Sequence, residues 1–81
     1  MKVKVLFFAQ LQDAFGERER IMEIEDEITV GKFVESMFRA LEGNVWKALP
    51  LRYAVNEKFE DGDAQLRSGD VLALIPPVSG G

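Results

Sequence analysis

Neither cysteine nor histidine occurs among the 81 residues of the chain. Without cysteine there is no disulfide, no thiol nucleophile and no cysteine ligand for an iron–sulfur cluster. Without histidine as well, zinc loses its usual nitrogen and sulfur ligands, and neither a Ser-His nor a Cys-His catalytic system can be assembled. The sequence therefore predicts no metal site and no complete catalytic set within the chain itself.

Long apolar runs and an excess of positive charge are missing too. No segment approaches the ~18 consecutive apolar residues that a membrane-spanning helix requires. The 10 basic residues are scattered along the chain and outnumbered by 14 acidic ones, so the net charge is −4, which argues against a nucleic-acid groove. Residues 1–4 lead directly into a strand-like pattern rather than a signal peptide. We expect a cytoplasmic protein that binds neither nucleic acid nor a membrane.

The chain does contain enough apolar side chains, 47% of its residues, to bury one small core. Residues 2–9 alternate between two faces, which predicts a β-strand. One face is apolar and consists of Val3, Val5, Phe7 and Ala9. The other face begins basic and ends apolar, with Lys2, Lys4, Leu6 and Phe8. We interpret the first face as the core face and the two lysines as edge charges that discourage further strand pairing.

A second strand is predicted at residues 20–24, within the acid-rich segment 17–27. We expect it to pair with the first strand and to form an edge of the sheet that charged side chains protect. The acidic residues around it fit a solvated edge better than a binding site. Between the two strands, residues 10–15 predict one short helical turn that ends at Gly16.

One amphipathic helix is predicted from Thr29, which is a good N-cap residue. Apolar residues then recur at helical spacing, at Val30, Phe33, Val34, Met37, Phe38 and Leu41. Gly43 is a natural stop for this helix. Residues 51–55 predict a third strand, followed by a turn at Asn56 and Glu57. Residues 71–75 are apolar on both faces, which predicts a central strand.

The order strand, strand, helix, strand, strand indicates a mixed sheet with the helix across one face. We therefore predict an α+β fold of the β-grasp, or ubiquitin-like, type over residues 1–75. Residues 76–81 follow as an extended tail, Pro-Pro-Val-Ser-Gly-Gly. Two prolines end the sheet and stiffen the exit, and two glycines remove side-chain bulk at the terminus.

Such a tail is either an ordinary frayed terminus or a reactive one. Its position after the last strand of a β-grasp pattern favours the reactive interpretation. The terminal carboxylate of Gly81 is a poor electrophile, so a partner has to activate it, for example as an acyl-adenylate made from ATP. Gly80 would let the chain pass through a narrow tunnel into another protein's active site.

Four segments closely resemble the family of molybdopterin synthase small subunits, which are ubiquitin-like sulfur carriers. They are residues 4–10 (Lys-Val-Leu-Phe-Phe-Ala-Gln), 54–56, 66–71 and 76–81. The tail and the Phe-Phe-Ala-Gln run are the specific parts, whereas residues 17–46 carry little family signal. The resemblance covers essentially the whole chain.

The resemblance implies a sulfur carrier for molybdenum cofactor biosynthesis. In that family an E1-like enzyme adenylates the terminal glycine, and a sulfur donor protein converts it to a thiocarboxylate. The tail then inserts into the large subunit, within a heterotetramer, and gives its sulfur to cyclic pyranopterin monophosphate. Carried over, Gly81 is the modified residue, and the threaded tail is Pro76, Pro77, Val78, Ser79 and Gly80. The adenylate and the thiocarboxylate are transient, so no stably bound cofactor is expected, and the catalytic lysines belong to the large subunit.

The predicted face opposite the helix carries several apolar side chains, which favours a partner surface. Alternation places Leu6, Phe8, Ala73 and Ile75 there, and the resemblance adds Phe59 and locates the large-subunit contact on this face. The competing interpretation is that residues 44–50, with Trp46, fold over these side chains and bury them.

Other functions remain open at this point. The chain resembles, less closely, sulfur carriers for thiamin synthesis or tRNA thiolation, which share the Gly-Gly end. A ubiquitin-like protein modifier would link Gly81 to a target lysine. A plain β-grasp interaction module would leave the tail inert.

Overall fold

The computed structural model describes residues 1–39 and 50–77, which form five strands and two helices. The elements are β1 (Lys2–Phe7), α1 (Gln10–Phe15), β2 (Glu19–Glu23), α2 (Val30–Arg39), β3 (Arg52–Val55), β4 (Lys58–Glu60) and β5 (Val71–Ile75). The strands form one sheet in the order β2-β1-β5-β3-β4. β1 and β5 are parallel, and the other neighbouring pairs are antiparallel. The mixed sheet and its single main helix confirm the predicted α+β class.

The core lies between α2 and one face of the sheet. The sheet supplies buried side chains from β1 and β5, namely Val3, Val5, Phe7, Leu72 and Leu74. The helix supplies its predicted apolar stripe, Val30, Phe33, Val34, Met37 and Phe38. The hydroxyl oxygen of Thr29 accepts a hydrogen bond from the Lys32 N–H at 3.3 Å, which confirms Thr29 as the N-cap. The predicted last turn and stop of this helix, at Leu41 and Gly43, lie outside the described residues.

The β3–β4 hairpin contains a strand that the sequence did not predict. Asn56 and Glu57 form its two-residue turn with φ of 52° and 70°. Positive φ at both central residues is the geometry that matches the twist of two-residue hairpins. β4 was missed because Lys58–Glu60 is only three residues long and holds a single apolar side chain, Phe59.

β1 corrects the interpretation of the two N-terminal lysines. β1 lies inside the sheet, between β2 and β5, so Lys2 and Lys4 do not protect an edge. Their side chains follow the outer face, where the Lys4 ammonium lies 3.7 Å from a carboxylate oxygen of Glu19. The parallel partner of β1 comes from the other end of the chain, and nothing local to residues 2–9 indicates it. β2 is an edge strand, as predicted.

Candidate partner-binding face and tail exit

The sheet face opposite α2, here called the outer face, is crossed by a row of four paired residues. The register aligns Leu6 with Ala73, Ala73 with Ala54, and Ala54 with Phe59. Residues paired across strands share one face, so these four side chains lie side by side. Leu6 and Ala73 are half-buried, Ala54 is buried, and Phe59 is 57% exposed. Two alanines thus form a flat floor between larger apolar groups.

Phe8 and Ile75 extend this outer face toward the end of the sheet at which β1 and β5 finish. Phe8 directly follows β1 and is 43% exposed, whereas its neighbour Phe7 is 1% exposed. Ile75 is the last residue of β5 and pairs with Arg52. Because β1 and β5 are parallel, their carboxyl ends lie together, and the chain leaves both strands at the same end of the sheet. The predicted burial of Phe7 in the core is confirmed, and Phe8 is exposed, which is what its predicted place on the outer face requires.

The outer face also holds residues that the sequence analysis missed. Ile21 pairs with Lys4 and is 68% exposed, and the alternation of residues 20–24 around Met22 was the available signal. The Arg52 guanidinium lies 4.4 Å from the centroid of the Phe59 ring, a cation–π geometry. The place of Arg52 on this face depends on the pairing of β3 with both β4 and β5, and no local sequence pattern predicts that pairing.

The described side chains leave this face partly exposed, as a partner surface requires. Whether Leu6, Phe8, Phe59, Ala73 and Ile75 contact a partner stays a prediction. The competing interpretation, in which residues 44–50 with Trp46 bury this face, concerns residues that lie almost wholly outside the described ones.

The tail leaves the sheet where β5 ends, at Ile75. Pro76 is buried and Pro77 is half-buried, so the first part of the tail packs on the domain. Neither proline has an N–H to donate to the sheet. Val78, Ser79, Gly80 and Gly81 lie outside the described residues. At full extension four residues reach at most about 14 Å beyond Pro77, which sets how far the terminal carboxylate can travel from the domain.

The titratable side chains in the described part of the chain are exposed or half-buried. No polar or charged side chain within residues 1–39 and 50–77 is buried, so none is desolvated as catalytic acids and bases commonly are. Those same residues contain no group of three or more acidic side chains placed to hold a metal ion. No helix among them is long and apolar enough to cross a membrane.

Comparison with known proteins gives a family and close relatives. The model of the ThiS family matches residues 5–81. The chain is 30% identical over 84 aligned positions to the molybdopterin synthase sulfur carrier subunit of Chlamydomonas reinhardtii, with all of both chains covered. It is 31% identical to the subunit of the same name from Haemophilus influenzae, with 98% of this chain and 99% of the relative covered.

Two solved structures share this fold. A putative molybdopterin converting factor subunit 1 from Pyrococcus furiosus superimposes with a TM-score of 0.82 and 27% identity, covering 96% of this chain and 99% of that one. A chain in the complex of subunits 1 and 2 of molybdopterin-converting factor from Helicobacter pylori matches with a TM-score of 0.66 and 26% identity, covering all of both chains. These matches confirm the β-grasp architecture.

Proposed function

The chain belongs to the ThiS family, and we propose that it is a sulfur carrier of molybdopterin synthesis that holds sulfur as a thiocarboxylate on Gly81. The full-length similarity to sulfur carrier subunits supports the carrier role. The observation that carries the proposal is the exit of the tail beside an exposed apolar face. Such a chain docks through the face and delivers its terminus to a neighbouring active site.

Activation of Gly81 follows from the chemistry of a carboxylate. A carboxylate oxygen of Gly81 attacks the α-phosphorus of ATP in an E1-like partner, forming the acyl-adenylate and releasing pyrophosphate. A sulfide equivalent from a sulfur donor protein then attacks the carbonyl carbon, and AMP leaves with the bonding electron pair. The product is the terminal thiocarboxylate. Glycine at this position leaves the carbonyl carbon without side-chain hindrance.

Sulfur delivery is the second stage. The thiocarboxylate sulfur attacks a carbon of the pterin precursor in the large subunit, and an oxygen leaving group departs from that carbon with the bonding electron pair, so that a thioester joins Gly81 to the pterin. Water then attacks the Gly81 carbonyl carbon, the sulfur stays on the pterin as a thiolate with the C–S electron pair, and Gly81 is released as a carboxylate. The carrier returns unchanged and can be charged again. We assign all acid–base chemistry to the partner.

Docking of the large subunit is assigned to the outer face. The related subunit 1 from Helicobacter pylori occurs in a complex with subunit 2, which supports a large-subunit partner for this chain. We propose Leu6, Phe8, Phe59, Ala73 and Ile75 as the contact surface. The Arg52 guanidinium over the Phe59 ring holds that ring in place and gives the surface one cationic rim.

Mass spectrometry of the terminal peptide tests this proposal. The chain is incubated with ATP, the E1-like enzyme and the sulfur donor, and a chain lacking Gly81 is the matched control. We expect replacement of one terminal oxygen by sulfur in the full chain and no change in the control. Recovery of Gly81 joined to a lysine side chain would instead identify a protein modifier. Sulfur delivered to thiamin or tRNA precursors, and not to the pterin, would identify one of the other carriers.

A further inference from the structure

β2 presents an edge that no described strand covers. It is the first strand of the sheet order, and β1 lies on its other side. The Ile24 N–H donates to the Met1 carbonyl at 2.8 Å, and the Phe7 N–H donates to the Arg18 carbonyl at 2.9 Å. Hydrogen-bonding direction alternates along an antiparallel strand. The N–H and C=O groups of Glu19, Ile21 and Glu23 are therefore directed away from β1, toward the open edge.

A groove of about 560 Å³ lies beside this edge, between β2 and α2. Its apolar walls include Phe15, Met22, Ile24, Ile28, Phe33 and Met37. The groove is on the α2 side of the sheet, opposite the outer face. A strand added to β2 would place every second side chain on this side, and so into the groove. Main-chain partners on the edge and apolar pockets beside it are the two elements of peptide binding by strand addition.

The charge around this edge selects the kind of peptide. Residues 17–27 contain six acidic and two basic side chains, so this segment alone carries −4, equal to the net charge of the whole chain. The Arg20 guanidinium is already engaged, 2.7 Å from a carboxylate oxygen of Glu17. Glu23 and Glu25 line the groove, and neither takes part in an ion pair that the structure describes. The edge is complementary to a basic partner.

The pairing of β2 with β1, opposite the open edge, shows what kind of strand β2 accepts as a neighbour. β1 pairs there with an alternating Lys-Val-Lys-Val pattern at residues 2–5. Its valines enter the core, and Lys4 lies 3.7 Å from the Glu19 carboxylate. On β2 itself, Glu19, Ile21 and Glu23 lie on the outer face, and Met22 and Ile24 lie on the inner face together with Arg20, whose guanidinium is paired with Glu17.

We propose that the open edge of β2 and its groove bind an extended segment of another protein in which apolar side chains alternate with lysine or arginine. Its apolar side chains enter the groove, and its basic ones lie beside Glu19 and Glu23. The groove lies on the face opposite the outer apolar surface assigned to the large subunit, whereas Glu19 and Glu23 lie on the outer face itself, where Glu19 pairs with Leu6.

A synthetic peptide tests the site. The probe is Lys-Val-Lys-Val-Lys-Val-Lys, blocked at both ends, titrated into the full chain with amide hydrogen exchange followed by NMR. Exchange proceeds from the unbound chain, so with peptide at ten times its Kd we expect the Glu19, Ile21 and Glu23 amides to slow by about tenfold. The same peptide with glutamate in place of lysine should give no slowing.

Variants of one exposed groove residue provide matched controls. Ser36 lies on α2 and lines the groove. Ser36→Trp should fill the groove and weaken binding of the lysine peptide, whereas Ser36→Ala should leave binding unchanged, with equal melting temperatures. Ile21→Pro removes one edge N–H, which edge strands tolerate, and should abolish protection.

Three results would overturn the proposal. The first is equal binding of the lysine and glutamate peptides. The second is protection of amides outside β2. The third is slowing of the three amides with rising protein concentration and no peptide, which would mean that a second copy of this chain covers the edge. None of these results depends on Gly81, so the sulfur-carrier proposal stands or falls separately.

Discussion

Phe7 and Phe8 are neighbours in the chain, yet the first is 1% exposed and the second 43% exposed. Phe7 also stacks on Phe15, with ring centroids 4.4 Å apart. Phe8 lies at the end of the sheet from which the tail departs. Phe7 therefore contributes to folding, and we assign Phe8 to docking. Matched substitutions of these two residues test the role of the outer face.

Phe8→Asp should weaken binding of the large subunit about 30-fold or more, the effect of losing about 2 kcal/mol at a hot spot. Its melting temperature should change little, because the side chain contributes little to the core. Phe7→Asp should unfold most of the protein, because it leaves a cavity and buries a charge in a small domain. Isothermal titration and a thermal melt measure the two effects. Unfolding of the Phe8 variant, or unchanged affinity, would contradict the proposed docking surface.

The β3–β4 turn shows how one side chain joins two elements. The Asn56 amide donates to a carboxylate oxygen of Asp70 at 2.9 Å, and its carbonyl oxygen accepts from the Val71 N–H at 2.9 Å. Asp70 in turn accepts from the Arg67 N–H at 2.8 Å. The hairpin is thereby attached to the start of β5, the strand that leads to the tail.

Two substitutions separate the contributions of Asn56. Asn56→Gly keeps the positive φ and loses the side-chain hydrogen bonds, which should cost about 1 kcal/mol because these bonds are exposed. Asn56→Ala keeps the Cβ at φ 52° but loses the local hydrogen bonding that lets asparagine adopt this conformation, and it should be about 1 kcal/mol less stable than the glycine variant. Urea unfolding with a constant m-value measures both. Equal losses in the two variants would mean that the backbone conformation carries no strain.

The elements that the sequence predicted are those whose signal is local. α2 follows from the spacing of Val30 to Phe38 and the Thr29 cap, and β5 from an unbroken apolar run. β4 and the position of β1 were not predictable in this way. A three-residue strand has no measurable period, and the β1–β5 pairing joins residues about seventy positions apart. The contact of Arg52 with Phe59 could not be predicted from local sequence either, because it exists only once β3 and β4 pair.

At the scale of the whole molecule, the row of apolar side chains on the outer face and the acidic side chains of residues 17–27 are different residues, although Glu19 and Glu23 lie on the same face of the sheet. The tail begins where β5 ends. The described core cluster includes no residue later than Leu74. Folding, docking and chemistry therefore draw on different residues, and we expect each to be removable without the others.

Truncation after Pro77 tests this separation. The shortened chain keeps every described element, so its urea midpoint should equal that of the full chain. It should deliver no sulfur, yet it should still occupy the large subunit and inhibit transfer from the thiocarboxylated full chain competitively. Adding Phe8→Asp to the truncated chain should relieve that inhibition, because the inhibitor then lacks its apolar anchor. A truncated chain that fails to compete would place most of the docking energy in residues 78–81, and one that still supports product formation would remove Gly81 from the chemistry.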